Sequence, residues 1–542
     1  MATNASPVNE GHLGMPNTTR TSPLAQQKPN PWFNVLAAVV VITGIIYAGY
    51  HLADDLSVVR DTRAYPYILL GVALLIALGF EFVNGFHDTA NAVATVIYTH
   101  SMSPNLAVVW SGAFNFLGVL VSTGAVAFSI VSLLPVELIL QVGSGAGFAM
   151  VFALLIAAIL WNLGTWWFGL PSSSSHTLIG SIIGVGLMNQ LMATSGSGTS
   201  GVDWGQATKI GQTLLMSPLI GFSLAWLLLT ILKSTIRIPA LYKEPVGNQP
   251  PPWWIRGLLI LTCTGVSFFH GGNDGQKGMG LIMLILIGTV PTAYALNRTM
   301  HEADVTQFIS ASAQAQTAFS HYSGNNAAPA DPHAAALESV RNRKVTAEGV
   351  AAMSALTQTI AKEVGEYHSM AKLPAGDMVN IRNDMYVVSE GLRYMGKTAA
   401  LNVSAADKAS LDAYKKQLDR STKFIPTWVK VAVAIALGLG TMIGWKRIVV
   451  TVGERIGKTH LTYAQGASAE LVAMATIGAA EMYGLPVSTT HVLSSGVAGT
   501  MVANKSGLQW ATVRNLLMAW VLTLPVSIAL AGSLYWLLRT LL

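Results

Sequence analysis

The sequence predicts an all-α polytopic membrane protein with broken or re-entrant helices and about 10–12 membrane segments. Two observations support this fold class. Of the 542 residues, 52% are hydrophobic and only 11% are charged, which is a balance that few soluble domains have. Apolar runs of membrane-spanning length also recur along the chain, and several are interrupted by glycines and polar residues.

The N-terminal stretch 1–31 is polar and rich in Pro, Asn and Thr, so we expect a disordered tail without a cleavable signal peptide. The uncharged run from Phe33 to about Ala53 then predicts an extra membrane helix within 32–65. The further apolar runs lie at about 66–97, 105–133, 145–168, 177–193, 207–232, 255–290, 426–444, 464–483, 490–504 and 511–540.

Charge and cysteine content exclude several classes of function. The net charge of +6 comes largely from short basic loops, including the linker 233–254, so we expect membrane lipid and not nucleic acid as the surroundings. The positive-inside rule puts that linker, and with it the N-terminus, in the cytoplasm. Cys263 is the only cysteine, which rules out a disulfide within the chain.

Two motifs occur twice. Gly-Leu-Pro-Ser-Ser-Ser-Ser-His ends at His176 and Gly-Leu-Pro-Val-Ser-Thr-Thr-His ends at His491, an offset of 315 (491 − 176). Asn-Gly-Phe-His-Asp ends at Asp88 and His-Gly-Gly-Asn-Asp ends at Asp274, an offset of 186 (274 − 88). The two offsets differ by 129, which is the length of the polar segment 297–425.

The matched offsets predict one duplicated unit. Its first copy is 66–232, and its second is 255–296 together with 426–542, separated by a soluble and mostly helical insertion at 297–425. Amphipathic patterns at 345–367 and 405–421 predict two of the helices in that insertion. Repeats of opposite orientation are typical of secondary transporters, so we expect an inverted-repeat transporter architecture.

The Gly-Leu-Pro motifs are predicted to start helices, because proline suits the first turn and hydroxyl groups cap free N–H groups. Such a terminus presents N–H donors and the positive end of a helix dipole, which suits an oxyanion. We therefore predict an anion site at the hydroxyls of both copies, namely Ser173, Ser174, Ser175, Ser488, Thr489 and Thr490.

The acidic motifs place carboxylates within apolar runs, where each costs a few kcal/mol unless it is paired or protonated. Their glycine-rich, polar centres also predict unwound helices at 66–97 and 255–290. Like charges ~4 Å apart repel by about 4 kcal/mol at an effective dielectric of 20, so an anion bound near these carboxylates requires a proton or cation. The candidates for that role are Asp88, Asp274, Glu81, Glu470, Asn84, Asn273 and, for proton exchange, His87, His176, His270 and His491.

The four motifs together resemble those of the inorganic phosphate transporter (Pit) family, of the bacterial low-affinity type. The resemblance runs from about Tyr67 to the C-terminus and includes Glu81–Ala92, His270–Gly278 and the Gly-Thr-Met-Ile-Gly-Trp run that ends at Trp445. It implies a carrier that moves phosphate with a coupling cation, and in the bacterial branch proton symport, often of a neutral metal–phosphate complex.

The resemblance also assigns roles to residues. Asp88 and Asp274 match the signature aspartates, and the Ser and Thr rows match the phosphate-contacting segments. Asn84, Asn91, Asn273 and Gln276 match polar neighbours of the signatures, and Asn91 and Gln276 add to the predicted phosphate site. Lys277 is added to that site as the fixed positive charge of the second copy, although Gln276-Lys277 departs from the Asn-Ala ending of the family pattern. The chain departs from the commoner Gly-Ala-Asn-Asp form at both motifs, and these departures bear on sodium coupling more than on phosphate transport.

The leading hypothesis is a proton-coupled phosphate symporter of the inner membrane, and the first alternative is the same carrier coupled to Na⁺. A membrane-embedded phosphohydrolase, with a motif serine as nucleophile and His176 or His491 as base, is disfavoured because no arginine lies near either motif. A channel is a further alternative. We expect no enzyme activity, no cofactor and no dedicated metal site. Transport of Mg²⁺ with phosphate, held by Asp88 and Asp274, and assembly into a homodimer stay open.

Overall fold

The structure is a computed structural model that describes residues 31–57, 64–193, 201–245, 249–374, 376–398 and 401–541. Within these ranges, the side chains at positions 64–66 and 88–91, and those of Pro31, Phe33 and Asn34, lie outside the description. The predicted tail therefore lies outside the described residues up to position 30. The described part is α-helical, and its extended backbone forms one isolated β-bridge, between Gly457 and Leu508.

The first 235 residues contribute the following helices, in chain order. They are α1 (Pro31–Leu56), α2 (Ala64–Tyr98), α3 (Pro104–Val121), α4 (Ala125–Val131), α5 (Val136–Leu140), α6 (Gly145–Trp167), α7 (Ser174–Met192) and α8 (Trp204–Thr235). A short 3₁₀ helix, Pro239–Leu241, then precedes α9 (Trp253–Thr289) and α10 (Pro291–Tyr294).

The polar segment forms five helices that pack on one another as a bundle, with a 3₁₀ turn at Met370–Lys372. They are α11 (Glu302–Ser320), α12 (Pro332–Arg341), α13 (Ala347–Tyr367), α14 (Met378–Met395) and α15 (Ala405–Thr422). The helices predicted at 345–367 and 405–421 are therefore confirmed. The chain continues with α16 (Thr427–Gly444), α17 (Lys446–Val450), a π-helical turn at Thr451–Arg455, α18 (Tyr463–Met482), α19 (Thr489–Ala503) and α20 (Trp510–Leu541).

All eleven apolar runs of the sequence form helices. Seven of the described helices, α1, α2, α3, α6, α8, α16 and α20, are long and apolar enough to cross a membrane. The helices of the other four apolar runs, α7, α9, α18 and α19, do not reach that length and hydropathy. Of the two acidic-motif helices, α2 is among the seven and α9 is not.

The prediction of unwound helices at the acidic motifs is wrong. Both α2 and α9 are continuous α-helices through these motifs, and the chain leaves the helical conformation instead at 168–173 and 483–488, in the Gly-Leu-Pro motifs. The physical reason is that polar side chains on α2 and α9 find partners on neighbouring helices. His87 Nε2, for example, lies 2.7 Å from the backbone oxygen of Asn162, so unwound backbone is not needed to satisfy it.

Glycines in this part of the fold allow close helix packing. A Cβ atom on Gly440 of α16 would overlap Phe82 O of α2, and one on Gly118 of α3 would overlap Phe268 O of α9. Phe82 and Phe268 are 186 positions apart, the same offset as the two signature aspartates. The two acidic-motif helices therefore pack in the same way on α16 and α3, as a duplicated unit requires, while the inverted orientation of the copies stays a prediction.

The five-helix bundle contacts the rest of the chain through charged groups just before α8. Arg393 lies 3.1 Å from Asp203 Oδ2, and the Tyr394 hydroxyl donates to the same oxygen over 2.8 Å. Burial alone would raise the pKa of Asp203, but hydrogen bonds from Gln206 N and Tyr394 and the positive charge of Arg393 hold it below its usual value. These bonds keep α14 of the bundle against the start of α8.

Candidate functional site

Each Gly-Leu-Pro motif ends one helix and starts the next with the same local structure. Gly169 and Gly484 have φ values of +65° and +62°, a left-handed conformation that a side chain would strain, and each closes the preceding helix. The amide of the following leucine bonds back to the last turn over 2.9 Å in both copies. The sequence therefore breaks the chain at the same point twice.

The helix starts predicted from the hydroxyl rows are confirmed. Ser173 Oγ accepts from His176 N over 3.2 Å at the start of α7, and Ser488 Oγ accepts from His491 N over 3.1 Å at the start of α19. Each cap satisfies one donor of the first turn, where the first four N–H groups of a helix lack partners within it.

The two helix starts lie side by side. Ser175 Oγ donates to the backbone oxygen of Val487 over 2.6 Å, which joins the first motif to the second. The rings of His176 and His491 are 4.6 Å apart between centroids. The motif serines and threonines are almost fully buried. Two positive helix ends and their hydroxyls thus converge on one buried place, which suits an oxyanion.

A buried ion pair from α9 reaches the first of these helix starts. Asp274 Oδ2 lies 2.6 Å from Lys277 Nζ, and both groups bond to one hydroxyl. Ser174 Oγ accepts from Lys277 Nζ over 2.9 Å and donates to Asp274 Oδ2 over 3.3 Å. His270 Nε2 lies 3.5 Å from the same carboxylate oxygen. The predicted meeting of a hydroxyl row with an acidic motif is thus present in the structure.

Comparison with known proteins agrees with this geometry. The sequence model described as the Phosphate transporter family matches residues 84–531, a range that contains all four motifs. The chain belongs to this family. It is 45% identical over 490 residues to the low-affinity inorganic phosphate transporter PitA of Escherichia coli strain K12, which covers 87% of this chain and 96% of PitA.

Other relatives cover a similar share. The chain is 42% identical over 492 residues to the low-affinity inorganic phosphate transporter PitB of Escherichia coli strain K12, covering 87% of this chain and 97% of PitB. A solved structure, titled the sodium-dependent phosphate transporter, is 18% identical with a TM-score of 0.47, and the match covers 88% of this chain and all of that one. The family is one of transporters and not of enzymes, as predicted from the motifs.

Two of the transporter's signature residues, Asp88 and Asn91, have side chains outside the described residues, so their predicted roles stay predictions. The neighbouring Glu81 is described and links the two acidic-motif helices. Its Oε1 accepts from Gly278 N over 2.6 Å, and its Oε2 accepts from Asn84 Nδ2 over 3.3 Å. Because Gly278 follows Lys277 directly, Glu81 lies beside the ion pair.

Three of the predicted site residues form hydrogen bonds with the backbone of neighbouring segments. His87 Nδ1 accepts from Ser172 N over 3.3 Å while its Nε2 faces a carbonyl, which is the pattern of a neutral ring. Asn273 Nδ2 donates to Leu485 O over 3.1 Å. Gln276 Oε1 accepts from Val126 N over 2.8 Å and so caps α4. The contacts of His87 and Asn273 fix the acidic helices against the two Gly-Leu-Pro motifs, and that of Gln276 fixes α9 against α4.

Glu470 is not brought to the ion pair. Its Oε2 accepts from Thr262 Oγ1, and its other oxygen has no hydrogen-bond partner among the described residues. Thr262 is twelve positions before Asp274 on the continuous helix α9, which corresponds to about 18 Å along the axis. The carboxyl group of Glu470 is fully buried. Apolar surroundings in the sequence indicate burial but do not give depth along a helix.

Several residues that support the site were missed. Trp520 Nε1 donates to Pro171 O over 3.1 Å, and its ring lies 4.1 Å from that of His491. Asn115 Oδ1 lies 2.8 Å from His270 Nδ1, which directs the other ring nitrogen towards Asp274. Neither residue belongs to a repeated motif. The signal in the sequence that could have found them was a single polar group within an apolar run, because such a group needs a partner in a membrane helix.

Glu481 was also missed, and it lies beside a position at which the chain departs from the family pattern. It lies in the last turn of α18, and a Cβ atom at Gly272 would be 2.5 Å from its carboxylate. The commoner alanine at position 272 would therefore require the Glu481 carboxylate to move. No group of three or more His, Cys, Asp and Glu side chains that could hold a metal ion occurs in the part of the chain that the structure describes.

Proposed function

We propose that this chain imports inorganic phosphate across the inner membrane by proton symport, with its N-terminus in the cytoplasm. The observation that carries the proposal is the contact of Ser174 with the Asp274–Lys277 ion pair. Through this contact, a helix start that suits an anion lies next to a carboxylate that repels an anion. A site of this composition favours an anion that arrives together with positive charge.

The phosphate ligands in this proposal are the hydroxyls and first-turn N–H groups of the two motifs. Ser173 and Ser488 cap their own helices, and we assign the direct phosphate contacts to Ser174, Ser175, Thr489 and Thr490, with Asn91 beside them. Neutral hydroxyl and amide donors bind an anion without holding it as strongly as a cluster of arginines would. A carrier needs such moderate binding because it must release phosphate on the other side.

Proton coupling is supported by Glu81. Its carboxyl group is fully buried, lies between α2 and α9, and is bonded to the amide that follows Lys277. An unpaired carboxylate at that depth costs a few kcal/mol, and a bound proton removes the cost. Loading a proton on Glu81 would lower the negative charge that an incoming phosphate meets, and losing it would favour release.

The proposal is tested by labelled phosphate uptake into proteoliposomes in which proton, Na⁺ and Mg²⁺ gradients are imposed one at a time. We expect uptake to follow an inward proton gradient at constant Na⁺. Uptake that follows Na⁺ and ignores pH would replace proton coupling by sodium coupling, and uptake that requires Mg²⁺ on the phosphate side would indicate a metal–phosphate complex as substrate. No uptake under any gradient would contradict phosphate transport.

A further inference from the structure

Lys277 is an unusual residue for its surroundings. Its side chain is 1% exposed, and its Nζ contacts Asp274 Oδ2 at 2.6 Å and Ser174 Oγ at 2.9 Å. A carboxylate oxygen and a hydroxyl oxygen are also the kinds of ligand that a small hard cation takes from a protein. The ammonium group therefore occupies a place that is chemically suited to a bound cation.

The sequence shows that this lysine belongs to one copy of the duplicated unit. Position 277 corresponds to position 91 at the offset of the signature aspartates (277 − 91 = 186), and the first copy has Asn91 there. The aspartate is present in both copies, at Asp88 and Asp274, whereas the fixed positive charge is present in one. The two halves thus carry the same acid and differ by one charge.

We propose that Lys277 is a tethered cation. Its ammonium group takes the position beside Asp274 and Ser174 that a coupling cation would otherwise fill, so the second half of the carrier requires no added cation during transport. The inference rests on the proposed function as a cation-coupled phosphate carrier and adds to it the residue that sets the number of cations moved per phosphate. Lys277 lowers that number because its charge stays with the protein.

Two other roles for Lys277 make different predictions. A lysine that binds phosphate directly would change the affinity for phosphate but not the number of cations moved with it. A lysine that only stabilises the fold would change the amount of folded protein and neither of those quantities. The ratio of cations to phosphate is therefore the measurement that separates a tethered cation from both.

The test compares the wild type with Lys277→Asn, which gives the second copy the residue of the first. The coupling ratio is measured in proteoliposomes as the reversal potential of phosphate flux under imposed proton and Na⁺ gradients. We expect the variant to move one additional cation, a proton or Na⁺, per phosphate. Lys408→Asn, at an exposed position of α15, is the matched control and is expected to keep the wild-type ratio. An unchanged ratio in Lys277→Asn would overturn the proposal.

The double variant Asp274→Asn, Lys277→Asn covers the case in which Lys277→Asn leaves an unpaired buried carboxylate and does not insert. Because it removes both charges, it has no carboxylate to recruit a cation, and we expect uptake at the wild-type ratio. A double variant that inserts normally but takes up no phosphate would show that Lys277 acts on phosphate itself, against the proposal. Absence of uptake by the wild type would instead contradict the proposed function.

Discussion

The two Gly-Leu-Pro motifs have the same backbone structure. Gly169 and Gly484 end the preceding helices with nearly equal positive φ angles, and Ser173 and Ser488 cap the next helices with equivalent bonds. A duplicated sequence reproduces these features because they depend on residues within each motif. Local structure is therefore the part of the site that the two halves share.

The two acidic motifs differ in charge at one matched position. Ser174 of the first Gly-Leu-Pro motif contacts the buried pair of Asp274 and Lys277. Asn91 stands at the first copy's counterpart of Lys277. The comparison shows that the two motifs share one backbone structure while the matched positions 91 and 277 differ in charge, and the following predictions test each half of that statement.

The largest expected effect follows from removing the negative charge of Asp274. Asp274→Asn leaves the Lys277 ammonium group buried without an anion, and breaking a buried ion pair costs about 3–5 kcal/mol. We expect the initial rate of labelled phosphate uptake in proteoliposomes to fall by about 100-fold or more, at about 1.4 kcal/mol per factor of ten. Glu338→Gln, an exposed carboxyl group of α12, is the control and should leave the rate unchanged. Full activity of Asp274→Asn would remove the argument for charge in the site.

The next prediction tests the shared backbone. Gly118→Ala and Gly440→Ala each place a methyl group on a carbonyl oxygen of an acidic-motif helix, Phe268 O and Phe82 O respectively. Overpacking of this kind typically costs about 1–3 kcal/mol. We expect both variants to lower the apparent Tm of the detergent-solubilised protein by similar amounts. Gly164→Ala, where an added Cβ meets nothing within 4 Å, is the control.

Unequal effects at the two glycines would contradict the comparison. If Gly118→Ala alone lowered the Tm, the packing of α9 on α3 would be specific to that pair and would not reflect a duplicated unit. Equal effects would support the common origin of the two pairs without bearing on their orientation in the membrane. The measurement is thus independent of any transport assay.

The motif helices, and the proximity of the hydroxyl rows to the acidic motifs, were predictable because each rests on a repeated pattern. Capping depends on residues within one motif, and matched offsets place the motifs in register. Contacts made by a residue that occurs once were not predictable in the same way. Asn115 bonds to His270 and Trp520 bonds to Pro171 O, and both of these partners are more than 100 positions away. Glu470 was predicted as a site residue because the apolar run around it indicated burial, whereas the sequence did not show how far along the helix axis it lies from the ion pair.

The prediction of unwound acidic helices failed for a related reason. Glycine and polar residues in a membrane run are compatible either with unwound backbone or with close packing and bonds to neighbouring helices. In this chain Gly271 packs against Asn115 O, and His87 bonds to the neighbouring helix α6, so the helices stay intact. Composition alone does not distinguish these two uses, because the partner helix decides between them.

The smallest expected effect is that of removing the Ser174 hydroxyl, which contacts the buried ion pair. Ser174→Ala removes a bond to Lys277 and one to Asp274, and hydrogen bonds to charged groups contribute about 1.5–3 kcal/mol. We expect the KM for phosphate to rise by about 10-fold. Thr489→Ala, at the equivalent position, should raise it less, because the first copy has Asn91 where the second has Lys277.

Conservative exchanges separate the hydroxyl from the residue that carries it. Ser174→Thr installs the residue that the second motif has at the equivalent position, and Thr489→Ser does the reverse. Both keep the hydroxyl, so we expect KM values near that of the wild type. If Ser174→Ala and Thr489→Ala together leave the KM unchanged, these hydroxyls only cap their helices. If the two alanine variants raise the KM equally, the charge beside Ser174 does not distinguish the two halves in phosphate binding.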